Sequence, residues 1–330
     1  MKVEGDDLST LDRLRNIPRL SPWQKDKNME KERCEVSKSC DSCEKERTCS
    51  SKEKEEHEEA RLAQKLSHIR NKIMVMSGKG GVGKSTVAVN LAASLALQDY
   101  AVGILDADIH GPDIPRMCGA ENRPLLSHGV GVDPVRVFKG LQIVSMGLLS
   151  QDPDKAIVWR GPLKHRAIKQ FLGDVNWGDL DYLVIDLPPG TGDEPLSVAH
   201  LIKNVDGSII VTTPQDVALL DSRKAVSFSR LINVPVLGIV ENMSGMACPK
   251  CGEKIDLFKV GGGERAAREL GVPFLGRIPI DPKMVICCDA GTPFVIDPGP
   301  SEVIQAFENL TQVVVRATEK AEDKITSAAH

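Results

Sequence analysis

From Lys72 onward, short apolar runs alternate with longer mixed ones. The short runs are Ile73–Met76, Val102–Asp106, Leu141–Met146, Tyr182–Asp186, Ser208–Thr213, Val236–Glu241 and Phe274–Ile280. Most are β-branched and nearly free of polar positions, as strands buried on both faces are. Helix-length segments separate them: Thr86–Leu97, Pro162–Leu172, Glu194–Lys203, Ala218–Ile232 and Gly263–Leu270. That rhythm predicts an α/β fold, a doubly wound and mostly parallel sheet of about seven or eight strands with helices on both faces. The last run, Ser301–Ala321, places Val303, Phe307, Leu310 and Val314 at helical spacing. It reads as a helix packed on the sheet. The alternative, a tail lying on a membrane, has acidic residues and the lack of a basic face against it.

Residues 1 to about 65 follow another pattern. Apolar positions are sparse, and Glu and Lys dominate Ser51–Arg61. Such a stretch buries too little surface to offset its chain entropy unless something staples it. Four cysteines can do so: Cys40 and Cys43 form a Cys-x-x-Cys pair, and Cys34 and Cys49 flank it with five intervening residues on each side. By count, four thiolates suit zinc or a cubane iron–sulfur cluster equally. Glu53–Arg70 reads as a solvated helical linker. The chain therefore divides into a Cys-rich, charged extension over 1–65 and one large domain over 66–330.

Composition narrows the partners. The 330 residues are 41% hydrophobic with a net charge of −4, which gives no electrostatic case for nucleic acid. No apolar run approaches the roughly 18 residues of a membrane span, and the acidic N-terminus is unlike a signal peptide. The expected compartment is the cytoplasm. There, nine cysteines point to metal or cluster chemistry rather than disulfides.

The stretch Ser77-Gly-Lys-Gly-Gly-Val-Gly-Lys-Ser-Thr86 lies between the first strand and the first helix of the domain. As G-x-x-x-x-G-K-[ST] it is a phosphate loop: Gly78, Lys79, Gly80, Gly81, Val82, Gly83 and Thr86 shape a cradle of backbone N–H groups. Lys84 reaches the β- and γ-phosphates and the Ser85 hydroxyl meets Mg²⁺. Gly78-x-Gly80-x-x-Gly83 also satisfies a dinucleotide fingerprint, with Asp106 placed to hold a ribose. Lys84-Ser85 decides for the triphosphate, since a nicotinamide site has no use for them. Asp186, closing an apolar strand, fits a second Mg²⁺-facing position, and Pro188-Pro-Gly190 makes a stiff turn able to bring a backbone N–H to a γ-phosphate. Asp106 and Asp108 end the second strand.

Cys248-Pro-Lys-Cys251 is a chelating knuckle without a second Cys-x-x-Cys after it. Two thiolates cannot complete a tetrahedral or cubane site, but two chains can, which proposes a dimer with the metal centre on its two-fold axis. Cys287 and Cys288 are adjacent and Cys118 is isolated, so these three read as core residues.

Lys79, directly after the loop's first glycine, is the signature of the deviant Walker A class. Trp159-Arg-Gly-Pro162, the Trp177–Asp186 run, Pro188-Pro-Gly-Thr191, Glu241-Asn-Met-Ser244, Cys248-Pro-Lys-Cys251, Gly261-Gly-Gly-Glu264 and Gly276-Arg-Ile-Pro279 narrow it further. Together they resemble the Mrp/ApbC family of iron–sulfur carrier ATPases, over about residues 68–300. The resemblance implies a homodimer, or a heterodimer of close relatives, with ATP in each subunit. It also implies a labile 4Fe–4S cluster bridged by Cys248 and Cys251 of both chains and passed to apo iron–sulfur proteins. Lys84 then holds phosphates in cis and Lys79 reaches the partner's nucleotide. Ser85 and Asp186 serve Mg²⁺, Asp108 orients the attacking water, and Asn242 contacts adenine. The N-terminal cysteines resemble the extension of the eukaryotic cytosolic scaffold branch, implying a second 4Fe–4S cluster. Cys40, Cys43 and Cys49 match its Cys-x-x-Cys-x5-Cys run, and Cys34 departs from it. Two other functions compete: an ATP-gated electron donor of the nitrogenase iron-protein type, and a positioning ATPase acting on membrane or DNA. The Cys-Pro-x-Cys spacing speaks against the first. The second has no use for the patterned cysteines.

Overall fold

The computed structural model describes residues 50–328, apart from 109–110, 128–130, 150–167, 170–171, 203, 297–298 and 300. Cys34, Cys40, Cys43 and Cys49, the Trp159–Pro162 motif and most of the expected Pro162–Leu172 helix lie outside these residues.

Seven parallel strands form the sheet: β1 (Ile69–Met76), β2 (Val102–Asp106), β3 (Gln142–Ser145), β4 (Leu180–Asp186), β5 (Gly207–Thr212), β6 (Val236–Ala247) and β7 (Phe274–Ile280). Their order is β7-β6-β5-β1-β4-β2-β3. Two-residue antiparallel strands, Lys254–Ile255 beside β6 and Val135–Arg136 beside β3, bring the sheet to nine. The apolar runs of the sequence are these strands. Side chains alternate across the sheet as the pleat requires: Ile73 and Val75 join one core, Met74 and Met76 the other.

One core lies under α2 (Lys84–Leu97), α3 (Ile114–Met117) and α8 (Glu302–Ala328), where Val303, Phe307, Leu310 and Val314 are all buried. The C-terminal stripe thus covers the sheet. The other core lies under α1 (Ser51–Ser67), α4 (Asp193–Leu201), α5 (Asp216–Leu231) and α6 (Gly262–Leu270). α7 (Pro282–Asp289) sits at the rim of the first.

α1 corrects the picture of a solvated linker. It opens on a capping box of Ser50 and Glu53 and is wet there. Its last turns are docked: Leu62 and Leu66 enter the core, Arg61 binds the Gly173 carbonyl and the Asp174 carboxylate, and Lys65 donates to Val175 O and Asn176 Oδ1, both at 3.0 Å.

The sheet order turns back at β1, with β2–β4 on one side and β5–β7 on the other. The carboxyl ends of β1 and β4 therefore border the crevice where ligands of open α/β sheets bind.

Candidate nucleotide site and cysteine knuckle

The loop between β1 and α2 is shaped by its neighbours as much as by itself. At Gly78 an added Cβ would lie 2.1 Å from the Asp221 carbonyl oxygen, so any side chain would push the loop off α5. Gly83 caps α2 at φ 77°, and a Cβ there would lie 2.2 Å from Asn242 Nδ2. The space is taken because Asn242, on β6, donates to Val82 O at 2.9 Å. The turn after β4 closes the other flank, with Gly190 N donating to Ser77 O at 2.9 Å. The sequence offered a backbone N–H of this turn to a γ-phosphate; that of Gly190 is committed to the loop.

At the start of α2 three groups converge. Lys84 Nζ lies 2.6 Å from Asp186 Oδ1, Ser85 Oγ donates to Asp186 Oδ2 at 2.6 Å, and Lys84 Nζ is 3.3 Å from Ser85 Oγ. The Lys84 and Asp186 side chains are 6% and 1% exposed, so this ion pair is fully desolvated. Burial raises the Asp186 pKa, and the Lys84 charge opposes the rise. Next to it Asp106 accepts from Ser145 Oγ at 2.8 Å and from Asp108 N at 3.1 Å. Burial, then the charge of Asp186, raises its pKa well above the ordinary carboxylate range. Ahead of α3, burial first and then Asp108 raise Asp113 as well. The crevice thus holds four carboxylates against the one buried Lys84 ammonium, and three of the four are pushed toward protonation. A divalent cation fits this donor set: Ser85 and Asp186 already share a point, and the ion would relieve the crowding of negative charge. The positive end of α2 faces the same space, as anion binding needs. Lys79 is half-exposed, and among the described residues its ammonium has no partner.

β6 continues six residues beyond the sequence expectation and ends at the knuckle. Ala247 pairs antiparallel with Lys254, Cys248 N donates to Glu253 O at 2.8 Å, and Gly252 N donates to Cys248 O at 2.8 Å. This tight hairpin directs the N–H groups of Cys251 and Lys250, with the Cys251 thiol, at the Cys248 sulfur, and they hold its pKa below the usual thiol range. Cys248 is half-exposed and Cys251 exposed. Among the described residues no group of three or more His, Cys, Asp or Glu side chains is placed to hold a metal. An open cleft of about 290 Å³ lies beside Cys248, bordered by Pro282, Lys283, Phe294 and Glu302.

A family model described as the NUBPL iron-transfer P-loop NTPases of the ParA group matches residues 68–315. The chain belongs to this family. Its curated relatives include the iron–sulfur cluster carrier proteins of Methanocaldococcus jannaschii and Pyrococcus horikoshii. The first is 49% identical over 81% of this chain and 90% of that protein, the second 51% identical over 72% and 83%. Among solved structures, a nucleotide-binding protein from Archaeoglobus fulgidus in complex with ADP is 41% identical, with a TM-score of 0.65 over 73% of this chain and 94% of that one. The septum site-determining protein MinD of Pyrococcus horikoshii, complexed with Mg-ADP, is 24% identical with a TM-score of 0.53 over 74% and 95%, and shares the fold.

In this iron-transfer P-loop NTPase the expected loop residues, Lys84, Ser85 and Asp186, meet in one place, and Asp108 stands at its edge. Cys248 and Cys251 meet at a second place, joined to the first by β6. Two residues hold places in the site that the sequence did not assign them. Asp106 reads as a strand end, and only the β2–β4 register, which pairs it with Asp186, makes it a neighbour. Glu241 is wholly buried, accepting from Ser244 Oγ, Gly261 N and Gly263 N at the start of α6, with Arg277 3.6 Å away. It ties the Glu241–Ser244 motif to the Gly261–Glu264 motif, one residue before Asn242 on the same strand.

Proposed function

We propose that the chain is an ATP-dependent iron–sulfur carrier that holds a 4Fe–4S cluster between two copies and passes it to apo-proteins. The half-built knuckle carries this reading: two sulfur donors reaching solvent on a tight hairpin, with no third ligand among the described residues. Two copies supply the four thiolates that a cubane needs. The carrier names of the relatives and the ADP-bound neighbour support cargo and nucleotide.

In this reading Lys84 leaves Asp186 for the β- and γ-phosphates when MgATP enters, and Ser85 and Asp186 take the cation. Bound Mg²⁺ supplies charge neutralisation along the phosphates. Asp108 orients water, Asn242 borders the base while bracing Val82, and Lys79 reaches the partner's nucleotide. Hydrolysis is slow and serves loading or release. The Cys-rich extension, up to about residue 65, holds a second cluster through Cys40, Cys43 and Cys49, with Cys34 as the candidate fourth ligand. The carrier works in the cytoplasm.

The test is anaerobic reconstitution of the full chain with iron and sulfide. Cys248→Ser with Cys251→Ser should remove the share of visible cluster absorbance held between copies, abolish transfer to an apo-enzyme and leave ATP binding intact. Unaltered transfer by the double variant would sink the proposal.

A further inference from the structure

Besides the knuckle, the described residues hold three cysteines outside any disulfide, Cys118, Cys287 and Cys288. The sequence leaves Cys118 isolated. The fold does not. Cys118 caps α3 and is 6% exposed, and α3 packs on α7, which carries the other two. Two contacts bracket Cys118. Two residues before it, the Arg116 guanidinium lies 3.8 Å from the carboxylate of Asp289, the residue after Cys288. One residue after it, Gly119 touches Gly291 backbone to backbone: a Cβ on Gly119 would sit 3.0 Å from Gly291 O, and one on Gly291 would sit 2.6 Å from Gly119 Cα. Cys118 therefore lies beside the turn that leaves Cys288. Cys287 is turned about 100° from Cys288 on the helix and packs against the same apolar cluster, of which Cys118 is a member.

The electrostatics agree. Burial, then the neighbouring Cys288, pushes the Cys118 thiol up to about 12. Burial, then Cys287, raises Cys288. Both stand as thiols, where metal binding wants thiolates.

We infer that Cys118 and Cys288 form a disulfide under sustained oxidation and that this bond pins α3 to α7. With a low-molecular-weight disulfide such as oxidised glutathione, half-buried Cys288 loses its proton and attacks one sulfur, releasing one glutathione thiolate. Cys118, deprotonated in turn, attacks the Cys288 sulfur and releases the second. Two protein thiols are oxidised, one external disulfide is reduced to two thiols, and the two protons leave with the glutathione. The raised thiol pKa values make the exchange slow at neutral pH. α3 follows the loop bearing Asp108 and Asp113, and Lys283 in the first turn of α7 lines the cleft beside Cys248. The bond thus couples the nucleotide crevice to the edge of the knuckle. It is independent of whether the knuckle holds a cluster.

The test uses full-length, cluster-free, reduced protein incubated with oxidised glutathione, alkylated, digested without reductant and mapped by mass spectrometry. The expected result is a Cys118–Cys288 linked peptide with the loss of two alkylatable thiols. The peptide should vanish in Cys288→Ser and persist in Cys287→Ser. ATP turnover should fall on oxidation and recover with dithiothreitol, and Cys288→Ser should show neither change. Cys118 remaining alkylatable, or Cys288 pairing with Cys287 or with another chain, overturns the pair. A linked protein with unchanged turnover overturns the pinning.

Discussion

The phosphate loop, braced by β6 through Asn242, and the cysteine knuckle, at the end of β6, are built on opposite principles. The loop is braced from three sides, by Asp221, Asn242 and Gly190, and its Lys84–Asp186 pair is sealed from water. The knuckle is a surface hairpin held by its own backbone, with both sulfurs reaching solvent. A site that must act on a triphosphate gains from preorganised groups in a dry crevice. A site that must give its contents away gains from exposure. On the proposed reading, the difference teaches that the chain fixes its nucleotide chemistry internally and leaves its cargo chemistry to be completed by a second copy.

Variants can break this contrast at either end. Lys84→Ala should have the largest effect: ATP turnover lost by about 10²–10³-fold. Asp186 would then be a buried carboxylate without its counter-ion, which destabilises the nucleotide-free protein by about 3–5 kcal/mol. Steady-state hydrolysis and denaturant unfolding report the two effects. Lys79→Ala separates cis from trans roles, because among the described residues its ammonium is unpartnered and its loss touches no buried pair. Nucleotide binding by calorimetry should persist while hydrolysis falls by at least about 10²-fold, and mixing with Asp108→Ala protein should restore part of it.

Asp106→Asn probes the carboxylate crowding. Its raised pKa means that ionising Asp106 opposes folding at pH values above the ordinary 3.8. The amide removes that opposition. In metal-free buffer the variant should melt higher than the parent at neutral pH, with the gain shrinking as pH falls through the raised pKa and gone below the ordinary value. A lower melting temperature at pH 7 would contradict the crowding. Asn242→Ala removes one bond to the loop, for about 1 kcal/mol of stability and a weaker nucleotide Kd. The smallest effect belongs to the knuckle: Cys248→Ser with Cys251→Ser should change unfolding free energy by less than about 0.5 kcal/mol, as surface substitutions do.

The sheet was legible because strands buried on both faces cannot hide: each of the seven apolar runs became a strand. What the sequence concealed was set by polar residues in apolar places. β6 seemed to stop at Glu241 because Glu241, Asn242 and Ser244 interrupt the run, yet the strand continues because Gly261 and Gly263 satisfy Glu241, Val82 satisfies Asn242, and Ser244 donates to Glu241 itself. α7 escaped notice as a short helix opening on Pro282, and with it the approach of the turn after Cys288 to the end of α3. The docked turns of α1 were masked by charge, since Leu62 and Leu66 are its only large apolar residues. The site was readable where one motif holds all its parts, at Gly78–Ser85 and at Cys248–Cys251. It was unreadable where two strands had to be set in register, as Asp106 beside Asp186 shows.

The two-ligand knuckle has a further consequence, in mass action. A hold shared by two copies is populated in proportion to the dimer, so its occupancy depends on how concentrated the chain is. On that reading dilution alone promotes release, and abundance becomes a means of setting how much cargo stays bound. A single-chain, four-cysteine site would be indifferent to both.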